Sequence, residues 1–124
     1  ANTFVAAFIG SPSMNLLDGR ISGGMVDLGG TRLPVPAGVR AEDGQEVIYG
    51  IRPEHLPLAD RGLTGTVAVI EPTGSETHVV VRLAGRELTA VFRDRVDFAP
   101  GDTITLAPQT AVSHLFDKAT GQRL

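Results

Sequence analysis

The spacing of apolar residues changes once along this chain. Near its start, Phe4, Val5, Phe8 and Ile9 recur at helical spacing, and a glycine and a proline then end the pattern. Beyond that point apolar and polar residues alternate in short runs. Turn-forming residues separate these runs roughly every eight to twelve positions. The pattern predicts a short N-terminal helix followed by a mainly β fold, built as small barrel units or a sandwich.

The clearest hairpin surrounds the dipeptide Gly29-Gly30, where both residues can adopt positive φ. A two-residue turn at this point places Asp27 opposite Arg32 on one face of the hairpin. The same register places Val26 opposite Leu33 on the other face. We therefore expect one charged face and one buried face.

Further strands are predicted where alternation continues, and the spacing in the second half fits a five-stranded OB-type barrel. A polar connection is expected at 37–45, a turn between two halves at 59–62, and a hairpin turn at 117–122. The predicted strands are 46–52, 63–71, 77–83, 87–92, 103–107 and 112–116.

Composition excludes several classes of function. Eleven basic residues stand against fourteen acidic ones, and neither half of the chain carries a basic block, so a nucleic-acid-binding role is not expected. The chain has no cysteine, and therefore no disulfide framework or thiolate metal site. No Gly-x-x-x-x-Gly-Lys-Ser/Thr loop occurs that could cradle nucleotide phosphates. We expect no catalytic residue, no metal and no cofactor.

The three histidines do not predict a metal site. His55, His78 and His114 fall on separate strands or turns, whereas zinc would need them converged with carboxylates at about 2 Å from the ion. Structural histidines are the favoured interpretation. A Ser-His-Asp hydrolase is rejected as well, because no Gly-x-Ser-x-Gly elbow is present.

The loop at 71–77 has more than one interpretation. It can be a tight turn between two strands, a protein-contact loop, or a glycine-centred nest whose amides bind an anion. Against the anion, Glu71 and Glu76 would repel it, and no lysine or arginine stands beside them in the sequence. The segment 50–55 is similarly open: Pro53 stiffens either a structural turn or a contact with a second subunit.

Four stretches resemble a known family: 4–15, 50–55 (Gly-Ile-Arg-Pro-Glu-His), 74–77 (Gly-Ser-Glu-Thr) and 114–117 (His-Leu-Phe-Asp). In this order they are similar to the C-terminal regulatory TOBE/OB-like domain of the ATP-binding subunit of bacterial carbohydrate ABC importers. The type is that of the maltose and glycerol-3-phosphate importers, and 11–20 and 114–124 look most like the latter. The resemblance implies OB-like or MOP-like units at about 13–58 and 63–116, interlinked, with a last hairpin at 112–124. Residues 1–12 would be helix and linker from an ATPase domain.

The family's role would make this chain a non-catalytic regulatory and dimerisation domain, peripheral on the cytoplasmic side of the membrane and soluble when isolated. Its implied partners are a second copy, the ATPase domain of the same polypeptide and, indirectly, the membrane permease subunits. A cytosolic regulator or a glycerophosphodiester phosphodiesterase would dock on it. The alternative is an OB-like module that senses an oxyanion or other small ligand.

The resemblance also points to contact positions, although Phe8 and Phe116 have an equally good role in the core. Glycines would shape the loops around three contact side chains. The predicted interface or regulatory residues are Phe8, Glu71 and Phe116, with Gly65, Gly74 and Gly101.

Overall fold

The computed structural model describes residues 14–124, and their regular structure is almost entirely β-strand. The mainly β, OB-like fold predicted from the alternation is confirmed. The predicted helix with Phe4 and Phe8 lies outside the described residues. Two compact units are present, one from 14–52 with Gln109–Leu124 and the other from Pro53–Pro108.

The first unit is a five-stranded antiparallel sheet in the order β3-β2-β1-β4-β9. Its strands are β1 (Asn15–Ser22), β2 (Met25–Asp27), β3 (Arg32–Pro34), β4 (Glu46–Ile51) and β9 (His114–Asp117). A short 3-10 helix, Thr110–Val112, precedes β9. The predicted strand at 112–116 therefore begins later, at His114, and it pairs with β4 of this sheet.

The central strand β1 was not among the predicted strands, because glycine and charged residues interrupt its alternation. Leu17 and Ile21 are nevertheless buried, at 4% and 1% exposure. Gly19 lies between them, and a β-carbon there would approach the Leu28 side chain to 2.8 Å and Val26 to 3.0 Å. Glycine is thus the residue that lets the neighbouring apolar side chains close over this strand.

The Gly29-Gly30 hairpin has the predicted register. Asp27 is opposite Arg32, and Val26 is opposite Leu33, with both apolar residues buried. In addition, Oδ1 of Asp27 accepts hydrogen bonds from the backbone amides of Gly29 and Gly30, each at 3.0 Å. The turn is therefore closed by a side chain as well as by its glycines.

The second unit is a four-stranded antiparallel sheet in the order β7-β6-β5-β8. The five-stranded barrel predicted for the second half is therefore wrong, because the last predicted strand pairs with β4 in the first unit. The strands of the second unit are β5 (Leu58–Pro72), β6 (Thr77–Leu83), β7 (Arg86–Phe92) and β8 (Thr103–Leu106). A short 3-10 helix, Pro53–His55, precedes them. The core of the second unit lies on one face of this sheet, where Val81 is opposite Leu88 and Val79 is opposite Ala90. All four residues are at most 1% exposed.

The predicted turn at 59–62 is wrong. Those residues belong to β5, a strand of 15 residues, and they form an irregularity in which Leu58 and Leu63 are both opposite Leu106. A bulge of this kind absorbs extra residues in one strand without ending the pairing. Gly62, at φ +148, supplies the unusual backbone that the bulge requires.

The hairpin turn predicted at 117–122 is present. The Asp117 amide donates to the Gln122 carbonyl at 2.8 Å, and Phe116 forms a bridge with Arg123. The Leu124 amide then donates to the Leu115 carbonyl at 2.8 Å. These bonds tie the C-terminal residues to β9.

Candidate functional site

The turn between β5 and β6 is tightly closed by one threonine. The Thr73 amide donates to the Glu76 carbonyl at 2.8 Å, and the Thr73 hydroxyl donates to the same oxygen at 3.1 Å. Gly74 has φ +91 with open space around it. The turn therefore presents Gly74 and Ser75 to solvent on a fixed base.

A groove of about 530 Å³ opens beside this turn, and all its lining residues belong to the second unit. Ile70 and Pro72, from alternate positions of β5, contribute an apolar floor together with Phe98. Gly74 and Ser75 line it from the turn. We refer to this space as the Gly74 groove.

The remaining lining residues come from the segment 93–98, which follows β7 and has no regular structure. We call it the 93–98 strap. At its C-terminal end the Phe98 ring meets the Phe92 ring edge to face, with centroids 5.8 Å apart. Just beyond, the Ala99 amide donates to Oδ2 of Asp102 at 2.8 Å. These contacts fix the strap next to the sheet.

Two arginines of the strap, Arg93 and Arg95, line the Gly74 groove. Both are exposed, and neither has an ion-pair partner within residues 14–124. Arginine can bind a carboxylate or phosphate through two parallel hydrogen bonds. The groove is therefore lined by two arginines that are without an ion-pair partner in the described part of the chain.

These arginines were not predicted as part of the site because they are distant in the sequence from the 71–77 loop. The signal lay in the hairpin register: Thr77 is opposite Phe92, so the chain that continues past Phe92 must run beside the turn that precedes Thr77. If the β6–β7 register is extended past this pair, Arg93 falls opposite Glu76 and Arg95 falls opposite Gly74. The objection that no arginine stands beside the loop is thus wrong in three dimensions.

Two acidic residues, Glu76 and Asp94, also line the groove. Glu76 has a partner of its own, since its Oε1 lies 3.4 Å from Nε2 of His78. Asp94 stands between the two arginines in the strap. The groove lining therefore holds two basic and two acidic side chains, and one of the acidic side chains, Glu76, is already paired with His78.

The groove combines charged and apolar lining residues. Within residues 14–124, no group of three histidine, cysteine, aspartate or glutamate side chains is placed to hold a metal ion. His55, His78 and His114 lie respectively in the 3-10 helix before β5, in β6 and in β9. What the arrangement can do is bind a ligand that combines negative charge with an apolar part.

Glu71 is exposed at the end of β5, directly opposite His78. Alternation along the strand sends its side chain to the face opposite that of Ile70 and Pro72. Glu71 is therefore next to the Gly74 turn in the chain but does not line the Gly74 groove. Of the predicted contact residues that fall within 14–124, Gly74 alone lines the groove.

Gly65 and Gly101 lie together at the pairing of β5 with β8. Gly65 is opposite Ile104, and a β-carbon there would come within 2.5 Å of the Arg82 carbonyl oxygen. The Gly101 amide donates to the Val67 carbonyl at 2.8 Å. Close packing therefore requires glycine at position 65, whereas Gly101 has open space around it and a positive φ of +94. Neither glycine lines the Gly74 groove.

Phe116 belongs to the first unit and is 2% exposed. Its ring packs over Gly50, where a β-carbon would lie 3.2 Å from Cε2 of the phenylalanine. It is a core residue of this unit. A contact role for Phe116 stays a prediction, and Phe8 lies outside the described residues.

Two family models match the chain. A MalK OB fold domain matches residues 10–56, and a TOBE domain matches residues 49–116, which is more than half of the sequence. No helix among residues 14–124 is both long enough and apolar enough to cross a membrane.

Relatives at high identity are named as ATP-binding proteins. An uncharacterised ABC transporter ATP-binding protein, y4oS of Sinorhizobium fredii, is 49% identical across 100% of this chain and 34% of its own length. A putative ATP-binding protein of Brucella abortus is 44% identical across 98% of this chain and 35% of its own. The sn-glycerol-3-phosphate import ATP-binding protein UgpC of Salmonella typhi is 42% identical across 100% of this chain and 36% of its own length. This chain thus spans about a third of the length of these relatives.

Among solved structures, the cytoplasmic molybdate-binding protein ModG, with molybdate bound, superposes with a TM-score of 0.67. The alignment covers 82% of this chain and 94% of that one, at 20% sequence identity. At this identity the likeness concerns the fold alone. With the TOBE match over most of its second half and the relatives above, the chain belongs to the TOBE-domain family as it occurs, beside a MalK-type OB fold domain, in ABC transporter ATP-binding proteins.

Proposed function

We propose that this chain is the non-catalytic regulatory and dimerisation domain of an ABC importer's ATP-binding subunit. The transported substrate would be of the carbohydrate type, such as sn-glycerol-3-phosphate, glycerophosphodiesters or a sugar. The observation that carries the proposal is the alignment of the whole chain with only 36% of UgpC. ATP hydrolysis would then belong to the remainder of the subunit, since this sequence holds no phosphate-binding loop.

The proposed setting is the cytoplasmic face of the membrane, where the ATPase domain of the same polypeptide would contact the permease subunits. The domain itself would pair with a second copy and offer a docking surface to a cytosolic regulator. For a glycerol-3-phosphate importer, a glycerophosphodiester phosphodiesterase is a chemically reasonable partner because it acts on the same substrate class. Its absence from a pull-down with the complete subunit would count against that choice.

Dimerisation is tested by light scattering coupled to size exclusion, across a concentration series. We expect a dimer for the unmodified chain, and a shift toward monomer in Glu71→Arg, because Glu71 is exposed at the end of β5. Glu42→Arg is the matched control, since it makes the same charge change in an exposed loop of the first unit. A monomer at every concentration would overturn pairing through this domain alone.

A second candidate function is oxyanion sensing at the Gly74 groove. The observation in its favour is the placement of Arg93 and Arg95 on the groove that Gly74 and Ser75 also line, in a fold shared with a molybdate-binding protein. Calorimetry with molybdate, sulfate, phosphate and sn-glycerol-3-phosphate tests it. No heat of binding at millimolar ligand would end this alternative.

A further inference from the structure

We infer that the Gly74 groove is a docking site for an extended acidic peptide segment of a partner protein. An apolar side chain of the segment would rest on the groove floor, while neighbouring carboxylates would bind Arg93 and Arg95. The inference rests on the proposed regulatory function, which requires a docking surface. It adds the location of that surface and the chemistry of the partner.

The floor supplies the apolar half of the recognition. Ile70 and Phe98 are only half-buried, although each belongs to the face of the second unit that is otherwise its core. The space above them, about 530 Å³, lies within the size range of pockets that bury small ligands. It therefore has room for a large apolar side chain, whose burial would be favourable in proportion to its area.

The strap supplies the charged half. Arg93 and Arg95 have no ion-pair partner within residues 14–124, so binding a carboxylate breaks no existing pair. Asp94 opposes an acidic ligand, and Asp97 does so in a second groove that the strap lines, whereas Glu76 is engaged with His78. The affinity for an acidic peptide should therefore rise when the Asp94 charge is removed, and it should fall when either arginine is removed.

Exposure favours a peptide over a small free anion. Both arginines, Gly74 and Ser75 all face solvent, so a bound oxyanion would keep much of its water, and the attraction would be weak. A peptide that lies across the groove excludes that water itself and adds apolar burial. The strap also lines a second groove of about 270 Å³ with Leu58, whose side chain is 51% exposed. An extended segment crossing the strap would cover this leucine as well.

The test begins with a phage-displayed library of random peptides of about ten residues, selected on the immobilised 124-residue chain. We expect selected sequences to share a large apolar residue flanked by aspartate or glutamate. The enriched peptide, labelled with fluorescein, is then titrated by anisotropy against the wild type and variants. Arg93→Gln and Arg95→Gln should each raise Kd about five-fold or more, and Asp94→Asn should lower it.

Arg61→Gln is the matched control, because Arg61 is also exposed in the second unit but lines neither groove. Its Kd should equal that of the wild type, and circular dichroism should show all variants folded. The inference is overturned if selection yields no peptide or peptides without acidic residues. It is also overturned if both arginine variants bind as tightly as the control, or if millimolar phosphate alone displaces the peptide completely.

The same variants placed in the complete ATP-binding subunit separate the inference from the proposed function. If a cytosolic partner co-purifies with the wild type and equally with the subunit carrying both Arg93→Gln and Arg95→Gln, docking stands and the groove is the wrong surface. If the subunit retains no partner with or without this domain, the proposed docking function itself fails.

Discussion

Gly62 lies so close to the backbone carbonyl of Leu106 that a β-carbon added at this position would overlap the carbonyl oxygen, which leaves no space for a side chain. The contact arises because β5 passes Leu106 twice, once with Leu58 and once with Leu63. Pairing continues through the bulge, since the Ala107 amide also donates to the Pro57 carbonyl at 2.9 Å. One glycine therefore allows a 15-residue strand to stay paired across an irregularity.

Gly62→Ala should destabilise the chain by about 2 kcal/mol or more, because a β-carbon would overlap the Leu106 carbonyl and the φ of +148 disfavours side chains. Urea unfolding measures the loss. Gly24→Ala is the control: Gly24 also has positive φ but open space around it, so its loss should be about 1 kcal/mol. Equal losses in the two variants would show that the Leu106 contact does not matter.

Ala84→Asn should stabilise the chain. Ala84 occupies the first position of the two-residue turn between β6 and β7 with φ +45, a backbone conformation that alanine disfavours and asparagine accepts. We expect a gain of about 0.5–1 kcal/mol in the free energy of unfolding. Ala111→Asn, at an exposed position of the 3-10 helix Thr110–Val112, should give no gain in stability. A similar gain at both positions would show that the positive φ of Ala84 is not the cause.

Tyr49 should make the chain less stable at alkaline pH. Burial raises the pKa of its phenol above the ordinary value of 10.0, an effect that the nearby Ser113 hydroxyl opposes. The folded state thus holds the proton more tightly than the unfolded chain. Its stabilising effect is complete below pH 10.0 and is lost as the pH rises through the higher folded-state value.

Two measurements check this. Tyr49 is the chain's one tyrosine, and tryptophan is absent, so tyrosinate absorbance reports its ionisation directly. Urea unfolding above pH 10.0 should show a steeper loss for the wild type than for Tyr49→Phe. Parallel losses in the two proteins would assign the alkaline effect to other groups.

Asp27 should contribute to acid sensitivity. The amides of Gly30 and Gly29 hold the pKa of its carboxyl below the ordinary value of 3.8. Because folding lowers this pKa, the stabilisation is present above pH 3.8 and is lost as the pH falls through the lower folded-state value. Asp27→Asn keeps an oxygen for both amides without the charge, so its stability should fall less on acidification. Asp43→Asn, in an exposed loop, should behave as the wild type.

The local parts of the fold could be predicted from the sequence because they depend on few residues. The dipeptide Gly29-Gly30 specifies a turn, and the turn specifies the register that pairs Val26 with Leu33. Strand β6 was predicted with its observed bounds, Thr77–Leu83, since Val79, Val81 and Leu83 recur there at every second position. In these segments local pattern and tertiary packing favour the same structure.

The missed parts depend on packing between distant residues. Strand β1 has a weak pattern, yet it lies between β2 and β4 at the centre of its sheet. The residues at 59–62 look like a turn, and pairing with Leu106 makes them part of a strand. Strand β9 joins β4 although more than sixty residues separate the two segments, 46–51 and 114–117. No periodicity within one segment reports such long-range pairing.

The candidate site divides in the same way. By itself the sequence determined the β fold, the turn at Gly74 and the family, because alternation, glycine placement and short motifs are local properties. The tertiary structure decided that Arg93 and Arg95 reach that turn, that Glu71 points away from the groove, and that Phe116 is buried. These outcomes depend on hairpin register and on which side of a sheet each residue occupies, and both are fixed only when the strands pair.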